Sequence, residues 1–210
     1  MIPKIIVQTS KDPIKPQVVE KLKRYLGKDW QYYYFNDEKI LEYFKNNPLV
    51  DFPNIIDVFN SFKGAHKSDL FRYYFLYING GVYIDSDAML LINIEKILKD
   101  YPCDFFVPIT KHTQITFNGF LGCTKQNKII YEALKDAYNT NPKDLANYYH
   151  LLCKNLTTIV KKYSNEINVH LFTELCDMPG ISRTINGKVE ILYHYYETNV
   201  PHIFRYEINK

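Results

Sequence analysis

Two acidic residues, Asp85 and Asp87, are separated by one residue and directly follow the apolar run Val82-Tyr83-Ile84. In an extended segment, residues i and i+2 point to the same side, so both carboxylates can face one point. Carboxylate oxygens suit hard cations such as Mg²⁺ or Mn²⁺, and such a cation neutralises a departing diphosphate. The pair predicts a site for a divalent cation and a diphosphate. A polar loop with two solvated acids is the alternative that this spacing leaves open.

A second charged pair, Asp69 and Arg72, precedes these acids on a segment with helical periodicity. Residues three apart lie on one face of a helix, and an arginine there could bind phosphate or sugar hydroxyls. The alternative is an ordinary surface ion pair, which contributes at most about 1 kcal/mol to stability. Gly80-Gly81 ends the helix and is expected to bring its charged face beside Asp85 and Asp87.

Length and composition bound the class of protein. A chain of 210 residues with 46% apolar residues suits one globular domain. The net charge of +3 is spread along the chain and does not indicate a nucleic-acid surface. The four cysteines are far apart and form no CxxC pair, which excludes a compact zinc site and predicts reduced, mostly buried thiols.

The hydrophobic pattern alternates between strand and helix periods, which is typical of an α/β protein. The predicted strands cover residues 4–9, 31–35, 82–84, 105–107, 115–123, 169–172, 189–195 and 203–208. The predicted helices cover residues 16–26, two short stretches within 38–60, then 65–79, 94–98, 127–138 and 145–163. No repeat or linker divides the chain. We therefore expect a Rossmann-like mixed sheet flanked by helices in a single domain, residues 1–210.

Two segments carry a family resemblance. The run AHKSDLFRY at residues 65–73, followed by GGVYIDSD at residues 80–87, resembles the core motif of glycosyltransferase family 32. That family includes the yeast-type mannosyltransferases, and a related motif occurs in the large clostridial glucosylating toxins. The opening IPKIIVQT at residues 2–9 is similar to the family's first strand, with Val7 where a histidine is usual. The resemblance covers residues 1–125, and small virus-encoded members come closest in size.

This resemblance implies a GT-A fold, a nucleotide-sugar donor, dependence on Mn²⁺ (or Mg²⁺) and retention of the anomeric configuration. By position, Asp69 and Arg72 would contact the donor sugar. Asp87 would bind the metal directly, whereas Asp85 would touch the ribose or sugar and reach the metal through water. These four residues are the expected catalytic set.

The expected donor site extends over neighbouring residues. By the same resemblance, Gln8 and Thr9 would border the base, and Tyr83 and Ser86 would join Asp85 in contacting the donor. The Asn118-Gly119 pair resembles an asparagine-containing segment beside the transferred sugar. A plain Asn-Gly turn between two strands is an equal alternative.

The third protein ligand of the metal is expected near the end of the domain, because GT-A enzymes commonly use a histidine there. His202 is the first choice and His194 the alternative. Residues 1–125 would bind the nucleotide sugar, and residues 126–210 would form the acceptor side.

The function that these patterns favour is sugar transfer from a UDP-sugar, or next a GDP-sugar, to a hydroxyl of a glycan or protein. The alternatives are a metal-dependent nucleotidyltransferase and a non-catalytic carbohydrate-binding module, to which the 19 tyrosines are suited. Donor and acceptor are the expected partners, without nucleic acid, and a monomer is expected. A strand that starts at Lys4 leaves no room for a signal peptide, and no run of about 18 apolar residues occurs. We therefore expect a soluble, cytoplasmic protein, which would act in the host cytoplasm if it is virus-encoded.

Overall fold

The computed structural model describes residues 1–178 and 181–195. The strands in these residues are β1 Ile5–Thr9, β2 Gln31–Phe35, β3 Gly81–Ile84, β4 Ala88–Leu90, β5 Phe105–Thr110, β6 Phe120–Cys123, β7 Val169–Met178, β8 Ile181–Asn186 and β9 Val189–Tyr195. The helices are α1 Pro16–Arg24, α2 Asp37–Asn46, α3 Ile55–Ser61, α4 Ala65–Asn79, α5 Ile94–Asp100, α6 Lys128–Asn139, α7 Pro142–Asn147 and α8 Leu151–Tyr163.

All nine strands belong to one mixed sheet, in the order β2-β1-β3-β6-β5-β7-β8-β9-β4. β1 pairs in parallel with β2 and β3, and β5 pairs in parallel with β7, whereas β6 runs antiparallel between β3 and β5. From β7 onward, in the order β7-β8-β9-β4, each strand is antiparallel to the next. The mixed α/β fold in one domain is the class that the sequence predicts.

The sheet separates two apolar cores, as expected when both of its faces are covered by helices. One core contains side chains of α2, α3, α4, α6 and α8, and the other contains side chains of α1 and α5. Helix α4 lies deep in the first core, and its residues Leu70, Phe71 and Leu76 have no exposed surface. This burial fixes the helix that carries Asp69 and Arg72.

The connection between α4 and β3 requires glycine at two successive positions. Gly80 has φ 67° and Gly81 has φ 103°, a region that side chains with a Cβ rarely adopt. A Cβ on Gly80 would lie 2.7 Å from the backbone nitrogen of Lys125, and one on Gly81 would lie 2.7 Å from the carbonyl oxygen of Ile5. The expected glycine hinge is confirmed, and it sets β3 directly against β1.

Several predicted elements differ from the structure. The expected helix over 145–163 is two helices, separated at residues 148–150, because the Leu151 N–H bonds to the Tyr148 carbonyl and starts a new turn. Strands β4 and β8 were not predicted. β4 has only three residues, which is too short to show a strand period. β8 faces the interior with Ser182 and Thr184, so its buried face is not apolar. Of the four cysteines only Cys123 is buried, so the expectation of mostly buried thiols is wrong.

The strand expected at residues 203–208 lies outside the described residues. Among the helices of the described ranges, none combines the length and the apolar character that crossing a bilayer requires.

Candidate active site

Asp85 and Asp87 lie in a tight turn between β3 and β4. The Ala88 N–H donates to the Asp85 carbonyl at 3.1 Å, which closes the turn. The extended conformation expected from the sequence is therefore wrong, because the chain must turn from β3 into β4 here. Asp85 is half-buried and Asp87 is exposed, and both carboxylates still converge on one histidine.

That histidine is His194, the alternative metal ligand of the sequence analysis. β9 pairs antiparallel with β4, and this register sets His194 opposite Ala88. Its Nε2 atom lies 2.9 Å from Asp87 Oδ1 and 3.4 Å from Asp85 Oδ2. The first choice, His202, lies outside the described residues.

The three side chains fit a divalent cation. Asp85, Asp87 and His194 each offer one ligand atom, and these atoms lie within 4.8 Å of one another. Burial opposes the charge of the imidazole, but hydrogen bonds to both aspartates raise the pKa of His194 to about 10. Burial likewise opposes the charge of Asp85, but Arg72 and His194 outweigh it and lower the pKa of that carboxyl. Two anionic oxygens and one imidazole nitrogen, held before any ion binds, form a suitable donor set.

Arg72 is surrounded by other predicted site residues. Its guanidinium donates to the Asn118 carbonyl and, at 3.3 Å, to Asp85 Oδ1, and it lies 4.0 Å from the ring centre of Tyr83. Its Nε atom lies 3.6 Å from Asp69 Oδ1. Arg72 is 3% exposed and Asp69 is 7% exposed, so the alternative of a surface ion pair is wrong.

Burial also alters the ionisation of this pair. Burial opposes the charge of Arg72, but Tyr83, Asp85 and Asp69 stabilise it and raise the pKa of the guanidinium. Burial raises the pKa of Asp69, although Arg72 partly offsets the effect. The guanidinium is therefore a fixed positive charge at the base of the cleft.

The Asn118-Gly119 segment is not a two-residue hairpin turn. A type I′ turn needs positive φ at both central residues, and neither of these has it. Instead, the Asn118 Nδ2 group donates to Asp69 Oδ1 at 3.1 Å and to the Tyr73 hydroxyl at 2.6 Å. The segment is part of the charged site, and its contact with a donor sugar stays a prediction.

Gly119 leaves space for Asp85. The Asp85 N–H donates to the Gly119 carbonyl at 2.8 Å. A Cβ on Gly119 would overlap the ring of Phe117 and the Oδ2 atom of Asp85. Glycine is needed here because the Asp85 carboxylate occupies the space that a side chain at position 119 would fill.

Gln8 and Thr9, which were expected to border the nucleotide base, instead belong to the hydrogen-bond network that holds Asp85. Gln8 has no exposed surface, and its side chain donates to the Asp85 carbonyl at 3.1 Å. The Tyr83 hydroxyl donates to Asp85 Oδ1 at 2.9 Å and lies 2.7 Å from Thr9 Oγ1. Ser86, inside the turn, is half-buried. Within the described residues, Gln8 and Tyr83 thus position Asp85, and direct donor contacts stay predictions.

These groups open onto a cleft of about 450 Å³. It is lined by Ala65, Asp69, Arg72, Asp85, Thr110, Thr113, Ile115, Thr116, Phe117, Asn118, Gly119, Tyr149, His150, Cys153, Glu174, Cys176 and His194. A second cavity of about 420 Å³ adjoins it at Ala65 and is lined by Thr9, Lys11, Asp37 and Lys67, among others. Thr110, Tyr149 and Glu174 were not among the predicted site residues, because no local pattern marks residues that only the folded sheet brings to the cleft.

Part of the chain matches a known protein family. A family model described as "Glycosyltransferase sugar-binding region containing DXD motif" matches residues 16–104, which include the acids at 85 and 87. Residues 16–104 are therefore similar to a DXD-containing glycosyltransferase sugar-binding region. The family resemblance seen in the sequence is confirmed.

Two fission-yeast proteins are similar to this chain. Inositol phosphoceramide mannosyltransferase 1 of Schizosaccharomyces pombe is 27% identical over 154 residues, which is 70% of this chain and 46% of that protein. Inositol phosphoceramide mannosyltransferase 3 of the same organism is 28% identical over 152 residues, 70% of this chain and 39% of that protein. The chain thus spans less than half the length of these relatives.

A solved structure named PaToxG Glycosyltransferase has a similar fold. It superposes with a TM-score of 0.58 at 18% identity and covers 79% of this chain and 70% of that one. At this identity the similarity shows a shared fold and nothing more.

Proposed function

We propose that the chain catalyses metal-dependent transfer of a sugar from a nucleoside diphosphate sugar to an acceptor hydroxyl. The observation that carries this proposal is the convergence of Asp85, Asp87 and His194, because Asp85 and His194 line the cleft that also contains Arg72. A cluster of two carboxylates and an imidazole beside a buried guanidinium suits a cation and a diphosphate together.

The proposed cation is Mn²⁺, with Mg²⁺ as the alternative. A ligand set that includes an imidazole nitrogen favours the softer of these two ions. Asp87 and His194 would hold the ion, and Asp85 would contact it directly or through water. When bound, the ion neutralises the negative charge that develops on the leaving diphosphate.

The residues of α4 would orient the donor. Arg72 would bind the diphosphate or a sugar hydroxyl, and Asp69 would accept hydrogen bonds from sugar hydroxyls. The adjoining cavity at Thr9 and Lys11 has the size and position for the nucleoside. The sequence favours a UDP-sugar, with a GDP-sugar next, whereas the mannosyltransferase relatives favour mannose, and GDP-mannose is a common activated form of that sugar.

The acceptor would be a glycan, a protein hydroxyl or, as the names of the relatives indicate, an inositol-containing lipid. In the proposed step the acceptor oxygen bonds to the anomeric carbon, and the bond from that carbon to the diphosphate breaks. The proton of the acceptor hydroxyl leaves with the diphosphate. Retention of configuration, a monomeric state and action in the cytoplasm complete the proposal.

The proposal is tested by incubating the protein with UDP-glucose, UDP-galactose and GDP-mannose, with and without Mn²⁺. Cation-dependent release of UDP or GDP, lost in Asp87→Asn and kept in Asp144→Asn, is expected. Asp144 is a matched acid on α7 that does not line the cleft. Release of pyrophosphate from a nucleoside triphosphate would instead identify a nucleotidyltransferase. Glycan binding that neither Mn²⁺ nor nucleotide alters would identify a carbohydrate-binding module.

A further inference from the structure

The cleft has a second polar wall that the donor chemistry does not use. This wall is formed by Thr110, Thr113 and Glu174, from β5, the loop after it and β7, and not from α4 or the turn at residues 85–88. Hydroxyl and carboxylate groups are suited to binding a ligand with several hydroxyls.

Glu174 is the central residue of this wall. It is 3% exposed, and its Oε2 atom accepts a hydrogen bond from Thr110 Oγ1 at 2.6 Å. Burial of a carboxylate is costly unless polar groups surround it, and strongly buried acids in clefts are candidates for function. A carboxylate can accept about four hydrogen bonds, so one carboxylate can bind several hydroxyl groups of a ligand at once.

The sheet register points Glu174 into the same cleft as the metal cluster. Glu174 pairs with Thr184 across β7 and β8, and Thr184 pairs with Leu192 across β8 and β9. His194 lies two residues beyond Leu192 and so projects from the same face of the sheet. Both Glu174 and His194 line the cleft of about 450 Å³.

The loop that follows β5 ties this wall to the donor side. Its base is closed by the Thr110 N–H, which donates to the Ile115 carbonyl at 2.9 Å, and by the Lys111 N–H, which donates to the Glu174 carbonyl at 3.0 Å. The same stretch of chain ends at Asn118, which contacts Asp69 and Arg72. The two walls are therefore held at a fixed separation.

We propose that Glu174, with Thr110 and Thr113, forms the subsite for a polyhydroxyl acceptor such as a sugar or a cyclitol. The carboxylate accepts hydrogen bonds from acceptor hydroxyls and directs one of them toward the anomeric carbon of the donor. Glu174 takes no proton in the step, because the proton leaves with the diphosphate. The inference rests on the proposed function and names the substrate class of the same cleft.

The test measures how the donor sugar is divided between water and a polyol. The protein is incubated with an intact nucleotide sugar that it hydrolyses, together with methyl α-mannopyranoside or myo-inositol, and the ratio of transfer to hydrolysis is determined. Glu174→Gln should lower this ratio about tenfold or more, because one hydrogen bond to a charged group is weakened. Thr110→Val, which loses the bond that orients the carboxylate, should lower it less.

Glu190→Gln is the matched control. Glu190 is a carboxylate on the neighbouring β9, bonded to Arg183 at 2.6 Å and to Tyr193 at 2.8 Å, and it does not line the cleft. Its substitution should leave the ratio unchanged. Thermal melting of each variant reports loss of folding separately.

Three outcomes would overturn the subsite. An unchanged ratio in Glu174→Gln would show that the residue serves the fold or the donor. If Glu190→Gln lowers the ratio as much as Glu174→Gln does, the effect is not specific to Glu174. If the wild-type protein hydrolyses the donor but transfers its sugar to neither polyol, the subsite is overturned while the proposed function stays intact. If the wild-type protein releases no nucleoside diphosphate from any donor, the proposed function itself fails.

Discussion

The Nε2 atom of His194 lies 2.9 Å from Oδ1 of Asp87, and the pairing of β9 with β4 holds the two residues together. The next residue, Tyr195, reinforces this contact, since its N–H donates to the Asp87 carbonyl at 3.0 Å. The ring of Phe117 packs edge-on against the imidazole, with ring centres 4.9 Å apart. The histidine is thus positioned by backbone and packing before an ion binds, which is how metal sites are preorganised.

We predict that His194→Ala weakens Mn²⁺ binding by at least about 10- to 100-fold, the range seen when even indirect supports of a metal site are removed. Isothermal titration calorimetry of the purified protein measures this change. The control is His170→Ala, a half-buried histidine on β7 that stacks on Tyr101 and lies outside the metal cluster. Equal affinities for wild type and His194→Ala would remove His194 from the site.

Protons and the metal should compete for His194. Its pKa of about 10 means that the imidazole is protonated at neutral pH in the metal-free protein. Since a metal binds only the neutral ring, binding should release about one proton and tighten about tenfold per pH unit between about pH 7 and 9. Calorimetry in buffers of different ionisation enthalpy counts this proton. Proton release of the same size in His194→Ala would contradict the assignment.

The same shift sets the pH dependence of stability. The folded-state pKa of His194 is raised from 6.5 to about 10, so the native state binds the proton more tightly than the unfolded chain does. This stabilisation is fully present below about pH 6.5 and is lost as the pH rises through about 10. The free energy of unfolding of the metal-free protein should fall across this window, as urea titrations would measure. The fall should be smaller in His194→Ala.

The sequence predicted the donor half of the site because its signals are local. The helical spacing of Asp69 and Arg72, the Gly80-Gly81 hinge and the apolar strand before Asp85 lie in one continuous stretch, and the structure confirms their placement. The roles of Asp85 and Asp87 toward a metal stay predictions.

The other half depends on long-range pairing. His194 reaches the acids only through β4, a strand of three residues that no pattern reveals, so the sequence ranked it behind His202. Glu174 occupies an ordinary position in β7, and only the closing of the sheet brings it to the cleft.

Arg72→Ala should destabilise the fold strongly. It would leave Asp69 buried without its cation, and removal of one partner of a buried ion pair costs about 3–5 kcal/mol. Chemical denaturation measures the loss. Adding Asp69→Asn should recover part of it, because a neutral amide needs no counter-charge, so the two losses should not be additive. Lys96→Ala, in an exposed pair with Asp100, is the control and should change nothing measurable. If the two substitutions lower the free energy of unfolding by strictly additive amounts, Arg72 and Asp69 do not interact energetically.

Gly119→Ala tests whether the Asn118-Gly119 segment shapes the metal site. A methyl group there would overlap Asp85 Oδ2 and the ring of Phe117, so the carboxylate would be displaced from its present position, 3.4 Å from His194 Nε2. We expect Mn²⁺ affinity and donor hydrolysis to fall together, and titration calorimetry with a nucleotide-release assay would measure both. Gly187→Ala is the matched control, since a Cβ there meets nothing within 4 Å and its φ of 58° adds only backbone strain in the β8–β9 hairpin. It should lower the melting temperature without changing metal affinity. If Gly119→Ala binds Mn²⁺ as tightly as wild type, Asp85 does not need the space that this glycine leaves, and the contact between the two residues is incidental to the site.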